Sequence, residues 1–233
     1  MIFETYVMHY SPLRERFDHF MNELNKVHIH DPQIMMCNDR ENMDPKKVSL
    51  YKRHDIDAFN EAALTSLKKI GLDSTPKFVL NDSEISLTIK HLDALDHFVE
   101  CGNAAFALML EDDFMFMCND IDLTEIILEA PEDWDVIFLG GGLNLDFLSV
   151  QKTLPGNPSY LLVNHPSTNT TSSMIYSMSA ARRVLKSYHA DGFVLPLDWQ
   201  LNYFFEKLDF NVYHTNPRIC GQLSNRRFRS AIK

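Results

Sequence analysis

The sequence has few cysteines, no long apolar run and fewer basic than acidic residues. Its four cysteines are far apart and include no Cys-x-x-Cys pair, which argues against a cysteine-rich zinc site and a dense disulfide framework. We therefore expect free thiols in a reducing compartment. The longest apolar run, residues 104–110, is too short to cross a bilayer, and the N-terminus has no basic segment followed by an apolar core. These absences predict a cytoplasmic protein and leave open a peripheral association with a membrane.

The shortage of positive charge argues against nucleic acid as a partner. The chain has 22 Lys and Arg residues against 32 Asp and Glu residues, a formal net charge of -10, whereas duplex binding depends on clustered basic side chains that neutralise phosphates. An anionic substrate would need a metal ion or the basic tail, residues 224–233, which contains Arg226, Arg227, Arg229 and Lys233. A solvated tail is the simpler interpretation of this segment, and folding over a diphosphate is the alternative.

The apolar residues that are present suffice for one core. They make up 45% of the 233 residues, so we expect a single domain over residues 1–233. Segments with helical spacing alternate with short β-prone runs, which predicts an α/β fold with a mixed central sheet flanked by helices. The predicted strands are residues 6–10, 78–80, 105–110, 135–139, 160–163, 174–176 and 210–214. The predicted helices are residues 13–24, a segment from Asp55 or Asp57 to Ile70, 85–99, 123–127, 180–188 and 197–207. We expect a left-handed Gly102 to end the helix 85–99 and Ser179 to cap the helix 180–188. Residues 28–52 are predicted as loop around one short strand, and residues 143–172 as an irregular excursion.

Three carboxylates follow the most apolar predicted strand. Residues 105–110 are uniformly apolar, as in a strand covered on both faces, and Glu111, Asp112 and Asp113 come directly after it. Ligands of open α/β sheets bind at the carboxyl ends of the strands. Adjacent carboxylates repel one another, which favours a divalent cation such as Mg²⁺ or Mn²⁺ between them. The alternative is a solvated acidic turn that caps the next element.

Several segments around the acidic run resemble glycosyltransferase family 25, which includes lipooligosaccharide galactosyltransferases and collagen galactosyltransferase-like proteins. Residues 107–113 resemble the acidic signature of the family, and residues 84–91 its Glu-x-Gly-x-x-x-Ser-His helix, with Ser86 and Lys90 in place of Gly and Ser. At the N-terminus the family reads Asn-Leu-x-Arg before a second Arg, whereas His9 and Tyr10 precede Arg14 and Arg16 here. The other similar segments are Trp-Asp-x-x-x-Leu-Gly at 134–140, a strand and small-residue helix at 171–185, Pro-x-Asp at 196–198 and a closing segment ending in Gln at 216–222.

This resemblance implies a GT-A-like, inverting glycosyltransferase. It would move a hexose, galactose or glucose, from a UDP-sugar donor to a glycan or glycoconjugate acceptor, with Mn²⁺ or Mg²⁺ as cofactor. The oligomeric state is not indicated. The roles that the resemblance implies are metal ligands at Glu111 and Asp113, a ribose contact at Asp112, catalytic groups at Asp198 and His91, and nucleotide contacts at His9, Arg14, Arg16 and Gln222.

Two of these residue assignments, His91 and Asp198, have a structural alternative, as do the glycine run and the large aromatic residues. His91 lies beside the apolar stripe of its helix and is equally well a core residue. A carboxylate such as Asp198 in a first helical turn also simply favours the positive end of the helix dipole. The Gly140–Gly142 run lacks phosphate-loop spacing and reads as a turn or as a close approach to a ligand. The large aromatic residues are assigned to core packing, with sugar stacking as the alternative: Trp134, Trp199, Phe204 and Phe205.

Two other functions are compatible with the same residues. One is a catalytically inactive domain of this fold that binds a glycan or a nucleotide. The other is a metal-dependent phosphohydrolase built on the same carboxylates, which would release inorganic phosphate.

Overall fold

The computed structural model describes residues 2–53, 79–119, 121–140, 151–154, 157–163, 165–168 and 170–223. The helix predicted up to Ile70 and the basic tail, residues 224–233, lie outside these residues. Phe78 also lies outside them, and Val79 and Leu80 are not in a strand.

Within the described residues the chain forms ten strands and six helices. The strands are β1 (Phe3–Met8), β2 (Gln33–Met35), β3 (Phe106–Glu111), β4 (Phe114–Phe116), β5 (Val136–Phe138), β6 (Gln151–Leu154), β7 (Asn157–Val163), β8 (Ser173–Ser177), β9 (Val212–Thr215) and β10 (Cys220–Gln222). The helices are α1 (Arg14–Asn25), α2 (Pro45–Tyr51), α3 (Asp82–Cys101), α4 (Leu123–Glu129), α5 (Met178–Asp191) and α6 (Leu197–Lys207).

Eight of the strands form one mixed sheet in the order β2-β1-β3-β8-β5-β9-β7-β6. β1 is parallel to β2 and β3, and β5 is parallel to β9, whereas β8 runs antiparallel to both β3 and β5. The carboxyl ends of β1, β2, β3 and β5 therefore meet at one edge, which we call the site edge; it begins at His9, Met36, Glu111 and Leu139. β4 and β10 pair separately, antiparallel. The predicted α/β class with a mixed central sheet is confirmed.

Helices cover both faces of this sheet, and β3 is buried between them. Ala107 and Met109 point into one apolar core with α3, α5 and α6. Leu108 and Leu110 point into the other with α1 and α4. All four side chains are fully buried, and burial of one large apolar side chain stabilises the fold by ~1.5–3 kcal/mol. The strand that carries the acidic residues is thus among the most firmly packed parts of the chain.

Side chains that bond to free backbone amides determine where several helices begin. Asn81 accepts from the amides of Ser83 and Glu84, and the Glu84 carboxylate accepts from the Asn81 amide, which completes a capping box.

The helix α2 is not predicted from the sequence, because Asp44-Pro45 is also typical of a turn. Asp44 instead caps this helix, and Pro45 takes the first helical position, where its missing N–H has no cost.

The structure corrects four further local predictions. Gly102 ends α3 in an extended conformation and not a left-handed one, with φ -67°. Ser177, not Ser179, caps α5, because its Oγ accepts from the Ala180 amide. The strand predicted at residues 210–214 begins two residues later, at Val212, and a further strand that the sequence does not predict, β10, follows it. Residues 143–172 contain an antiparallel pair, β6 and β7, where one strand was predicted.

Most of the large aromatic residues lie in the cores, as predicted. Phe204 and Phe205 are fully buried. Trp134 is half-buried against Phe106, with 5.1 Å between the ring centroids, and Trp199 packs against Val194 and Leu195.

The cysteines are free thiols, as the sequence predicts: Cys37, Cys101 and Cys118 are exposed and Cys220 is buried. Within the described ranges, no helix has the length and apolar character that crossing a membrane requires.

Candidate functional site

The three acidic residues lie at the site edge, at the turn between β3 and β4. Glu111 is the last residue of β3 and is half-buried. Asp112 and Asp113 form the turn and are 4% and 3% exposed. Their burial rules out the solvated acidic turn that the sequence left open. Buried carboxylates need hydrogen-bond donors or cations, and the three residues meet this need in different ways.

Asp112 is satisfied within the protein. Its Oδ2 accepts from His9 Nδ1 at 2.8 Å and from the Tyr10 amide at 3.0 Å, and its Oδ1 accepts from Arg16 Nη1 at 2.6 Å. Burial alone would raise the pKa of Asp112, but the His9 hydrogen bond and the Arg16 charge lower it below its ordinary value. Both oxygens are engaged, so Asp112 joins β1 and α1 to β3, and its predicted contact with a ribose stays a prediction.

Glu111 and Asp113 are held beside one another. Glu111 Oε1 accepts from Thr171 Oγ1 at 2.5 Å, and Asp113 Oδ1 lies 3.3 Å from Gln222 Nε2. Arg16, already bonded to Asp112, has Nη1 3.7 Å from Asp113 Oδ2. Burial and the negative charge of Asp113 together raise the pKa of Glu111 to about 8. The two carboxylates therefore repel each other, and a cation between them would relieve this repulsion.

Gln222 is brought to this site by a short strand. β10 pairs with β4 so that Gln222 lies opposite Phe114, and the Leu223 amide donates to the Asp113 carbonyl at 2.9 Å. The predicted nucleotide-contact residue Gln222 thus lies next to the predicted metal ligand Asp113.

The predicted catalytic residue Asp198 lies on α6. It lies in the first turn of the helix, and its Oδ1 accepts from the Trp199 amide at 2.9 Å. Burial raises the pKa of Asp198 to about 6. The charge of Asp198 is the weakest of the influences on the pKa of Glu111.

His91 is placed elsewhere. It is 0% exposed within the core on the α3 face of the sheet, and its Nε2 lies 3.3 Å from the Tyr176 hydroxyl. Burial lowers its pKa to about 3, so the ring is neutral. Among the residues that the structure describes, the hydrogen-bond partner of His91 is Tyr176 and not one of the three acidic residues. We assign it to the core, the alternative that the sequence left open.

A pocket of about 300 Å³ opens at the site edge where β1 and β2 end. This volume is at the lower end of the range for small-molecule sites, roughly 300–1,000 Å³. His9 and Arg14 line it, whereas Arg16 is buried against Asp112. The full lining is His9, Ser11, Arg14, Phe17, Asp18 and Met36. Two of the three residues predicted for nucleotide binding near the N-terminus therefore line one pocket.

Several residues of this site were not identified in the sequence. In the sequence Thr171 only begins a segment similar to the family, and its bond to Glu111 spans 60 positions in the chain. Phe17 and Asp18 carried no signal beyond helical spacing. Lys90, behind the pocket, differs from the Ser of the family pattern, and this difference is its signal in the sequence.

Gly140, the described residue of the Gly140–Gly142 run, allows two strands to pack closely. A Cβ on Gly140 would lie 2.6 Å from the Cys220 carbonyl oxygen, because residues 140 and 220 form an isolated β-bridge. Gly140 therefore lets β10 approach the end of β5. Gly141 and Gly142 lie outside the described residues.

A protein-only metal cage is not formed. Among the described residues, no group of three or more His, Cys, Asp or Glu side chains is arranged to hold a metal ion. Two carboxylates with oxygen donors nevertheless fit Mg²⁺ or Mn²⁺, because Mg²⁺ in particular is held by one or two carboxylates together with substrate phosphates and water. Glu111 and Asp113 match this pattern.

The chain was compared with known families, curated proteins and solved structures. No family model and no curated protein matches it. It is similar to a 4-diphosphocytidyl-2C-methyl-D-erythritol synthase from Anaerococcus prevotii, at 13% identity over 97% of this chain and 94% of that chain, with a TM-score of 0.45. It is also similar to a Drosophila β-1,4-galactosyltransferase 7 variant solved with manganese, UDP-Gal and xylobiose, at 10% identity over 100% of this chain and 75% of that chain, with a TM-score of 0.42. At these identities we take the functional conclusion from the geometry of the site alone.

Proposed function

We propose that this chain is a metal-dependent glycosyltransferase of the family 25 type, with a GT-A-like fold. It would move galactose or glucose from a UDP-sugar to a glycan or glycoconjugate acceptor. The observation that carries the proposal is the pair of carboxylates Glu111 and Asp113 at the site edge, on the turn where Asp112 bonds to His9 of an open pocket. Metal-binding and nucleotide-binding groups would then share one edge of the sheet.

Glu111 and Asp113 would hold the cation. Bound Mn²⁺ or Mg²⁺ neutralises the diphosphate of the donor and the charge that develops on the leaving nucleotide. Thr171 and Gln222 bond to the two carboxylates and orient them. Arg16 neutralises Asp112 at 2.6 Å, which leaves Glu111 and Asp113 for the cation, and cation binding would displace the proton that the raised pKa of Glu111 favours.

The pocket would take the nucleoside. Phe17 is partly exposed and offers an aromatic surface, and Asp18 is an exposed acceptor for N–H groups of a base. His9 donates through Nδ1 to Asp112, which leaves Nε2 as the acceptor of its ring. Arg14 at the start of α1 adds a positive charge suited to a phosphate.

Asp198 would act as the base that takes the proton of the acceptor hydroxyl. An inverting transfer needs one such group within reach of the anomeric carbon. A general base works best with a pKa near the working pH, and burial brings the pKa of Asp198 to about 6.

The test is nucleotide binding and UDP release with a variant at Asp113. Asp113→Asn keeps the shape of the side chain and removes its charge, so Mn²⁺-dependent UDP binding should be abolished in calorimetry while the melting temperature stays near that of the wild type. Glu132→Gln, at an exposed carboxylate after α4, is the matched control and should bind UDP normally. Unchanged UDP binding by Asp113→Asn would contradict the metal assignment.

Product analysis separates the three functions. Wild-type protein with Mn²⁺, UDP-galactose or UDP-glucose and a panel of acceptor sugars should release UDP. Binding without UDP release would favour the inactive binding domain. Release of inorganic phosphate would favour the phosphohydrolase.

A further inference from the structure

A buried lysine lies behind the pocket and is not explained by the site residues. Lys90 of α3 is 3% exposed, although its neighbours on the helix are mostly apolar core residues. Its Nζ forms an ion pair with Asp39 and donates to the carbonyl of His9, and it lies 3.4 Å from the carbonyl of Met35. One ammonium group thus joins α3 to the ends of both β1 and β2.

Asp39 extends this connection to the next segment of the pocket. It is 7% exposed and accepts from the Ser11 hydroxyl, with the Ser11 amide at 3.4 Å. His9 and Ser11 line the pocket, and Met36, which also lines it, follows directly after Met35. The Lys90–Asp39 pair is therefore bonded to two lining residues and to the neighbour of a third.

Stability alone does not account for such a pair. Removing two charges from water costs about as much as their attraction returns, and apolar replacements of similar volume are often as stable or more stable. α3 already has an apolar stripe that could continue through position 90. What an apolar pair could not supply is hydrogen bonds to the His9 carbonyl and to Ser11.

We propose that Lys90 and Asp39 are positioning residues that fix the shape of the nucleoside pocket and so determine nucleotide affinity. They do not touch the nucleotide and take no part at Glu111, Asp113 or Asp198. The identity of the ligand rests on the proposed function, whereas the positioning of His9 and Ser11 does not.

The decisive comparison is between breaking the pair and replacing it. Lys90→Met leaves Asp39 buried without its cation, so both the melting temperature and the affinity for UDP with Mn²⁺ should fall. The double variant Lys90→Met with Asp39→Leu removes both charges, so its melting temperature should recover, but the dissociation constant for UDP should stay at least about tenfold above that of the wild type, a 1.4 kcal/mol loss. In donor hydrolysis the double variant should raise KM and leave kcat within about twofold, because no group that acts on the reacting atoms has changed.

A second ion pair on the same helix provides the control. Lys47 and Asp93 join α2 to α3 at the surface, where the Lys47 side chain is 40% exposed. Lys47→Met should leave the dissociation constant for UDP unchanged. If the double variant regains wild-type affinity together with wild-type stability, or if Lys90→Met binds UDP as well as Lys47→Met, the positioning role is wrong.

Amide hydrogen exchange tests the positioning without any ligand. Residues 9–17 should exchange faster in the double variant than in Lys47→Met, because Ser11 and the His9 carbonyl have lost their partners. Wild-type protein that binds no UDP would overturn the proposed function alone, and the exchange rates would still decide whether the pair fixes the pocket wall. Equal rates in the two variants would overturn the inference.

Discussion

Neighbouring residues at the site have different tasks, and Arg16 shows this most clearly. Its guanidinium is buried and lies 2.6 Å from Asp112 and 3.7 Å from Asp113. Arg14, two residues earlier, is exposed and lines the pocket. The resemblance assigned both to the nucleotide, but the structure places Arg16 among the groups that hold the β3–β4 turn.

Replacing Arg16 should destabilise the fold, whereas replacing Arg14 should not. Arg16→Met leaves the Asp112 carboxylate buried without its cation, and removing one partner of a buried pair costs about 3–5 kcal/mol. Arg14→Met removes only an exposed charge and should change the free energy of unfolding by less than about 0.5 kcal/mol. Urea unfolding followed by circular dichroism measures both. Equal stability of the two variants would contradict the internal role of Arg16.

At the scale of elements, the close approach of β10 to β5 completes the acidic site. Gly140 bridges residue 220, and β10 carries Gln222 to Asp113. The approach depends on the absence of a side chain at position 140.

Adding one methyl group there should separate these strands. Gly140→Ala places a Cβ 2.6 Å from the Cys220 carbonyl oxygen, and overpacking of this kind costs about 1–3 kcal/mol. Gly221→Ala is the matched control on β10, because its Cβ would meet no atom closer than Met115 Cε at 3.8 Å. Thermal unfolding should show a lower melting temperature for Gly140→Ala only. A Gly140→Ala protein as stable as Gly221→Ala would show that the bridge is not tightly packed.

Short elements explain why the fold was only partly predictable from sequence. β3, α3 and α6 are long or strongly apolar, so their periodicity is clear. β4 and β10 have three residues each, too few for any period. The acidic run was found because its residues are contiguous, whereas the Lys90–Asp39 pair and the Thr171–Glu111 bond join residues 51 and 60 positions apart. Such contacts depend on the strand order, which the sequence pattern does not specify.

For the whole molecule, two buried histidines govern part of the response to acid. Burial lowers the pKa of His91 to about 3 and that of His214 to about 4, from an ordinary value of 6.5. The unfolded chain therefore takes up protons near pH 6.5 that the folded chain does not. This part of the stability is present above pH 6.5 and is lost as the pH falls toward 4.

The effect should be measurable as a difference between variants. Glu111 and Asp198 have raised pKa values and act in the opposite direction, so the wild type is compared with His91→Phe. Between pH 7 and pH 5 the wild type should lose about 2 kcal/mol more unfolding free energy than His91→Phe. Urea titrations at the two pH values give this difference. Parallel losses in the two proteins would mean that His91 takes up a proton in the folded state.

The reversed direction of β8 has a consequence for how this site can change over generations. Because β8 runs against β3, its first residues meet the last residue of β3, and Thr171 reaches Glu111 from a segment 60 positions away. A mutation at either position alters the hydrogen-bond partner of the other. The residue types at these two positions are therefore expected to change together, so that a hydroxyl at 171 accompanies a carboxylate at 111.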